Sequence, residues 1–200
     1  MNLNLTDRMR RGRQLAALAC GIAVVVGLAL SAAPASAAPA SASARSTVVR
    51  VEHASYAPIR QSVKQFLDKA TRTGVKLPAT VRTELARPAA ALTCWYWNDW
   101  RKASNIWGAT VWQYNVEPNW CGDGTWIRSY AYTNTWASNV ALGWSFQRNI
   151  QSIDRYGVNW NVFEAIRQGH FCLIAYFSCV QNSYPYVDVE VGGGGQIYKS

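Results

Sequence analysis

The chain has 200 residues, a length that suggests one domain with appendages. Its formal net charge of +9 suggests an acidic partner, which is the first class to test. The charge is uneven. Residues 92–200 carry equal numbers of basic and acidic side chains, so the whole excess lies in residues 1–91. Binding to phosphate groups needs a basic footprint, which the neutral region lacks. The sequence therefore predicts no nucleic-acid partner.

Residues 1–37 have the features of a secretory signal peptide. Four arginines precede an uncharged apolar run over residues 15–30, and Ala35-Ser36-Ala37 fits the small-x-small cleavage rule. The alternative is a permanent membrane anchor, but the run is shorter than the ~20 residues that usually span a bilayer. We therefore predict a secreted, extracellular protein that meets the membrane only during export.

Residues 38–91 differ in composition from residues 92–200, because they contain no tryptophan or cysteine. We expect a low-complexity linker over residues 38–57 and a helical segment over residues 58–91. Apolar residues recur at helical spacing between Ile59 and Ala70, which predicts a helix over about 58–73, and a second patch runs from Thr80 to Ala86. Two hypotheses stay open: a removable pro-segment, or a basic spacer. A basic arm over 45–91 could also lie on an anionic membrane surface.

From Leu92 onward the apolar pattern has period two. Seven or eight short alternating segments follow one another at spacings of about 10–15 residues, separated by turn residues such as Gly122-Asp123-Gly124. This pattern predicts an all-β domain over residues 92–200, an antiparallel β-sandwich with a small β-barrel as the alternative. The complete prediction is that domain with a helical N-terminal appendage.

Four cysteines remain once Cys20, inside the apolar run, is set aside. An even number in an exported chain indicates disulfides. We favour Cys94–Cys121 and Cys172–Cys179, because each pairing closes a local segment. A zinc site is the alternative, but only His170 lies near Cys172 and there is no Cys-x-x-Cys pair. We predict no metal and no cofactor.

Catalytic signatures are weak throughout residues 92–200. His170 is the only histidine there, and no Gly-x-Ser-x-Gly elbow accompanies it. A carboxylate pair for glycoside hydrolysis would have to come from the scattered acids, for which the candidates are Asp99, Asp123, Asp154 and Glu164. The tract Gly192 to Gly195 lacks the Lys-Ser/Thr of a phosphate loop, and we interpret it as a flexible connection. No catalytic residue is therefore assigned, and we predict that the protein is not an enzyme.

Tryptophan is the unusual feature of the composition. Of the ten tryptophans, all except Trp160 lie between Cys94 and Trp144. Those on alternating segments are expected in the core: Trp95, Trp97, Trp112, Trp126 and Trp144. Those in polar or turn-like surroundings are the candidate ligand-binding residues: Trp100, Trp107, Trp120 and Trp136. Exposed indoles beside amide and charged groups suit a sugar-binding face, a protein interface or a membrane interface.

Several local motifs carry a family resemblance. They are Trp120-Cys121-Gly122, Gly143-Trp144, Gly169-His170-Phe171-Cys172 and Tyr184-Pro185-Tyr186-Val187 followed by the glycine tract. On these, residues 92–200 resemble the small, tryptophan-rich, two-disulfide secreted proteins of actinobacteria. That group has no assigned activity. The resemblance implies export, β structure and disulfides, and it supplies no catalytic residue.

These observations favour a non-catalytic binding module in the extracellular space or at the cell envelope, with cell-wall or extracellular polysaccharide as the favoured partner. One alternative is a small secreted hydrolase or an enzyme inhibitor. Another is a structural or membrane-surface-active protein that makes contact through the basic 45–91 arm. Two carboxylates around a groove would favour the hydrolase, whereas a planar row of exposed tryptophans would favour the binding module.

Overall fold

The computed structural model describes residues 48, 50–86, 92–127 and 130–200. The predicted signal peptide and most of the predicted linker lie outside the described residues. Two helices are present, α1 (Val63–Arg72) and α2 (Ala79–Ala86). The strands are β1 (Arg50–Ser55), β2 (Ile59–Gln61), β3 (Thr93–Tyr96), β4 (Asp99–Ser104), β5 (Thr110–Gly122), β6 (Ala131–Ser138), β7 (Trp144–Tyr156), β8 (Val162–Ala175), β9 (Ser178–Ser183), β10 (Tyr186–Gly192) and β11 (Ile197–Lys199). No helix of the described ranges is long and apolar enough to span a bilayer.

Sheet A contains β1 to β6 and is in effect a four-stranded antiparallel meander. Strands β3 and β4 follow one another along the same edge of β5 in one register, because Tyr96 pairs with Asn119 and Asp99 with Val116. The Trp97 amide between them still donates to the Pro118 carbonyl, at 3.1 Å. Strands β1 and β2 pair in the same way with β4 and β3, and β6 pairs with the other edge of β5.

Sheet B contains β7 to β11 and repeats this plan. Strand β8 pairs with β7 along one edge. On its other edge β9 and β10 share one register, with Phe171 opposite Ser183 and Gln168 opposite Tyr186. Strand β11 completes the sheet beside β10. The two separate antiparallel sheets confirm the predicted all-β sandwich, and the small barrel is not the architecture observed.

The core lies between the two sheets, where alternate residues of each central strand point inwards. Strand β5 contributes Trp112, Tyr114, Val116 and Trp120, and strand β8 contributes Phe163, Ala165 and Phe171. Aromatic rings meet across the interface: Trp112 stacks on Phe171 with ring centroids 4.5 Å apart. Because a large aromatic side chain buries roughly 150–250 Å², these residues dominate the packing.

The helices cover one end of the outer face of sheet A. Helix α1 begins at a capping box, in which Ser62 and Gln65 each bond the other's backbone N–H. Its Phe66 and Ala70 are buried against Cys94, Cys121 and Tyr132. The outer face of sheet A is therefore apolar and covered beneath the helices, and its remaining area is open.

The structure corrects the predicted organisation of the N-terminal region. The predicted helix over 58–73 starts only at Val63, because Ile59–Gln61 forms strand β2. Part of the predicted low-complexity linker is strand β1, paired residue by residue with β4. Residues 50–61 therefore belong to sheet A and are not a spacer.

Both predicted disulfides are confirmed. Cys94 and Cys121 lie directly opposite each other on β3 and β5, beneath helix α1. Cys172 and Cys179 join β8 to β9 across a hairpin.

Candidate ligand-binding face

The open part of the outer face of sheet A holds a row of three side chains, two tryptophans with an asparagine between them. The register places Trp100 of β4 opposite Asn115 of β5, and Asn115 opposite Trp136 of β6. Residues opposite one another in an antiparallel sheet point to the same face. With strands spaced ~4.8 Å apart, the Cα atoms of the two tryptophans are about 10 Å apart.

The ring of Tyr56 extends this row towards the sheet edge. Tyr56, which follows β1, contacts Trp100 with ring centroids 4.7 Å apart and planes tilted by 51°. Tyr56 is exposed, Trp100 is half-buried, and Trp136 is 39% exposed. We call Tyr56, Trp100 and Trp136 the aromatic row.

Asn115 holds the middle of the row in place. Its side chain is buried, and its amide makes bonds in both directions: Gln113 Nε2 donates to Asn115 Oδ1 at 2.7 Å, and Asn115 Nδ2 donates to Ser138 Oγ at 2.9 Å. The first bond lies within β5, and the second links β5 to β6. The tryptophans therefore stand on strands whose relative position is fixed by hydrogen bonds, not on mobile loops.

A polar row lies beside the aromatic row, one step towards the helices. The register places Asn98, Glu117 and Asn134 across β4, β5 and β6. Glu117 is buried, and its carboxylate accepts from Asn134 at 3.2 Å and from Asn119 at 3.1 Å.

Helix α1 supplies the cation for Glu117 and forms a wall beside the polar row. Lys69 Nζ lies 2.8 Å from Glu117 Oε2 and 3.8 Å from the centre of the Tyr96 ring. Both carboxylate oxygens of Glu117 therefore have donors, two at Oε1 and one at Oε2. The positions that flank it across the sheet hold Asn98 and Asn134, so the described part of this face offers no second carboxylate beside Glu117.

Shallow pockets lie at both ends of the face. One, of about 300 Å³, is lined by Arg50, Glu52 and Lys102 among others. The other, of about 330 Å³, lies between α1 and β2, with Arg60, Lys69 and Arg72 in its lining. The aromatic row lies between these two pockets on the outer face of sheet A.

The four predicted binding tryptophans separate into three groups. Trp100 and Trp136 come together in the aromatic row. Trp107, which is 71% exposed, lies in the β4–β5 turn outside it. The prediction for Trp120 is wrong, because this residue is fully buried between the sheets and its indole N–H donates to Gly192 O. The sequence neighbours of Trp120 resemble a turn, yet the residue occupies an inward position of β5.

Sequence reasoning missed Tyr56 and His53, because both lie in the predicted linker. His53 lies on strand β1 and Tyr56 directly after it, and the residues of β1 are mostly exposed, so little apolar alternation marks the strand. His53 contacts the buried Asp99, with Nε2 2.5 Å from Oδ1, and Arg101 lies 3.4 Å from the same oxygen. Burial raises the pKa of Asp99, although Arg101 and His53 oppose that shift.

The four acids considered for hydrolysis each have separate partners. Asp99 faces the core with His53, and Asp123 accepts from the Thr125 and Trp126 amides in a turn. Asp154 pairs with Arg167 at 2.6 Å, and Glu164 lies 3.6 Å from Arg155. None of the contacts found in the described residues joins two of these acids.

His170 lies on the outer face of sheet B, away from the aromatic row. Its Nε2 is 2.7 Å from Asn182 Oδ1, and its ring stacks on Tyr184. Among the described residues, no three His, Cys, Asp or Glu side chains converge as a metal site.

Comparison with family models, with curated proteins and with solved structures gives no match to this chain. The face therefore has to be interpreted from its own geometry.

Proposed function

We propose that this protein is a non-catalytic extracellular binding module whose ligand is a glycan lying along the aromatic row. The observation that carries the proposal is the register, which sets Trp100 and Trp136 on one face with the buried Asn115 between them. The proposal inherits Trp100 and Trp136 from the sequence prediction, adds Tyr56 and omits Trp107 and Trp120.

The chemistry of the face suits a carbohydrate. One side of a sugar ring presents apolar C–H groups that an indole ring can cover, and its edges present hydroxyl groups. Side chains able to bond hydroxyls surround the tryptophans at Gln113, Asn134 and Ser138, all half-buried. Because strands hold the aromatic residues, little conformational freedom is lost on binding.

Export is part of the proposal. The signal-peptide features of residues 1–37 support it, and two disulfide bonds are compatible with an oxidising extracellular setting. The aromatic row and the side chains of Gln113, Asn115 and Ser138 beside it carry no charge, which supports an uncharged ligand.

The test is binding of the secreted chain, residues 38–200, to a panel of cell-wall and extracellular polysaccharides. We expect Trp136→Ala and Trp100→Ala each to weaken binding by about tenfold or more, the loss typical of a central aromatic contact. Trp107→Ala is the matched control, since it removes an exposed indole outside the row. Absence of binding to every polysaccharide, or unchanged binding by both row variants, would refute the proposal.

A further inference from the structure

Three connections meet at one end of the sandwich. They are the β4–β5 turn at residues 105–109, the β6–β7 crossover at residues 139–143 and the β8–β9 turn at Tyr176-Phe177. Backbone hydrogen bonds hold the crossover beside both turns. Ala141 N donates to Val111 O of β5 at 2.8 Å, and Ile174 N of β8 donates to Gly143 O at 2.7 Å. The aromatic row lies on the outer face of sheet A and is not part of this end.

These connections expose large apolar side chains. Leu142, Tyr176 and Phe177 have exposures of 96%, 93% and 106%, so their side chains protrude with almost no protein contact. The other exposed apolar residues at this end are Ile106, Trp107, Val140, Ile174 and Val180. We call these eight residues the apolar end. Exposed apolar residues that occur singly need no explanation, but a group from three neighbouring connections indicates an interaction site.

The apolar end carries no charge. Residues 105–110, 135–147 and 171–187 contain no Asp, Glu, Lys or Arg. Transfer of these connections into an apolar medium therefore requires no ionised side chain to lose its water.

The β8–β9 turn holds two exposed aromatic residues in a backbone conformation that bulky residues disfavour. Tyr176 and Phe177 have φ of 50° and 65°, the left-handed conformation at both central positions of a two-residue hairpin. Asn-Gly is the favoured sequence for such a turn, and bulky residues are disfavoured there. The Cys172–Cys179 bridge spans the hairpin directly behind this tip. Strain of this kind at an exposed tip indicates a functional role for the two rings.

We propose that the apolar end inserts into the interfacial region of a lipid bilayer. Its residues come from both sheets and from three neighbouring connections, and these connections hold no ionised side chain that could orient a protein partner. A bilayer accepts all three at once. Tyr and Trp are enriched at the level of the lipid headgroups, and Phe, Leu and Ile suit the adjoining acyl region.

The charge pattern specifies which lipids should bind. Arg50 and Lys102, which flank this end, share Glu52 at 3.0 Å and 3.2 Å, so these three side chains leave a single net positive charge. Because the apolar end itself carries no charge, we expect binding to zwitterionic lipid with little dependence on salt. This separates it from adsorption of a basic arm, which would need anionic lipid and would weaken as salt rises.

The test is cosedimentation of the secreted chain, residues 38–200, with phosphatidylcholine vesicles at low and high salt. The informative variant is Tyr176→Asn combined with Phe177→Gly, which installs the favoured turn sequence and so keeps the hairpin while removing both rings. We expect the parent to bind at both salt concentrations and the variant to bind at least about tenfold more weakly. Trp136→Ala is the control and should bind vesicles as the parent does.

Three results would overturn the proposal. They are no binding of the parent to these vesicles, equal binding by the turn variant, and binding at low salt that is lost at high salt. Self-association of the chain that is abolished by the turn variant, without vesicle binding, would assign the apolar end to a second copy instead. Glycan binding by the turn variant is measured in parallel, so failure of one proposal is distinguished from failure of the other.

Discussion

The indole N–H of Trp120 in sheet A donates a hydrogen bond of 3.0 Å to the carbonyl oxygen of Gly192 in sheet B. Trp120 also stacks beside Trp95, with ring centroids 6.0 Å apart. One buried side chain thus contributes both apolar packing and a polar link between the two sheets. Its role is in stability and not in ligand contact.

Replacement of Trp120 should be severe. We expect Trp120→Ala to lower the free energy of unfolding by about 3–5 kcal/mol, because it leaves a large cavity and removes the indole hydrogen bond between the two sheets. Urea denaturation measures this loss. The exposed Trp107→Ala is the control, with a change within about 0.5 kcal/mol. Equal stability of the two variants would show that Trp120 is not the buried residue described.

The glycine tract, Gly192 to Gly195, allows close packing of the backbone. The backbone of Gly193 lies so close to that of Thr125 that an added Cβ would sit 2.7 Å from the Thr125 carbonyl carbon. At Gly194 the closest atoms belong to the flexible Gln196 side chain. We expect Gly193→Ala to cost about 1–3 kcal/mol and Gly194→Ala to be tolerated, as measured by chemical denaturation. The reverse order of stability would contradict this packing.

Residues 50–86 should be required for a stable fold. A chain that starts at Leu92 lacks β1, β2 and both helices, so it exposes the edge of β3 and β4 and uncovers the Cys94–Cys121 cluster. An exposed sheet edge promotes association between chains. We expect this chain to melt at a lower temperature than residues 38–200 and to aggregate in size-exclusion chromatography. Identical melting and a monomeric elution would instead favour a dispensable pro-segment.

Buried tyrosines predict a loss of stability at high pH. Burial, reinforced by the Asp154 charge, raises the pKa of Tyr156 to about 12 from its ordinary value of 10.0. Burial also raises the pKa of Tyr114 and of Tyr132. The folded state favours the protonated phenols, so their contribution is complete below pH 10 and is lost as pH rises through about 12.

Urea denaturation between pH 9 and about pH 12, with phenolate absorbance followed in parallel, tests the alkaline prediction. Tyr156→Phe should make the fall in unfolding free energy shallower, because it removes one of the titrating groups. A free energy of unfolding that stays constant from pH 10 to pH 12 would contradict the burial of these phenols.

Sequence pattern was sufficient for the features that depend on local periodicity. The alternating segments predicted the β-sandwich, and the even number of cysteines with their spacing predicted both disulfides. Strand β1 was missed because most of its residues are exposed at a sheet edge, so little apolar alternation marks it. An edge strand is specified by its neighbour's unpaired backbone groups, which no local pattern reports.

The site was predicted only in part, for a related reason. The neighbours of Trp100, Trp120 and Trp136 are similarly polar, yet Trp120 faces the core and the other two share the outer face. The side of a sheet to which a residue points depends on register across strands. Register arises from pairings between distant segments, so Asn115 as the fixed centre of the row could not be inferred from its neighbours in the chain.

The two meanders divide the chain into halves that do not interleave. All strands of sheet A precede residue 139 and all strands of sheet B follow residue 143, so no strand must wait for a partner from the other half. Pairings between strands close in sequence carry small loop-closure costs and form early. During synthesis the first half can therefore complete its sheet alone. Until the second half arrives, the tryptophans of β5 face water, which makes this interval the period of greatest vulnerability to misassembly.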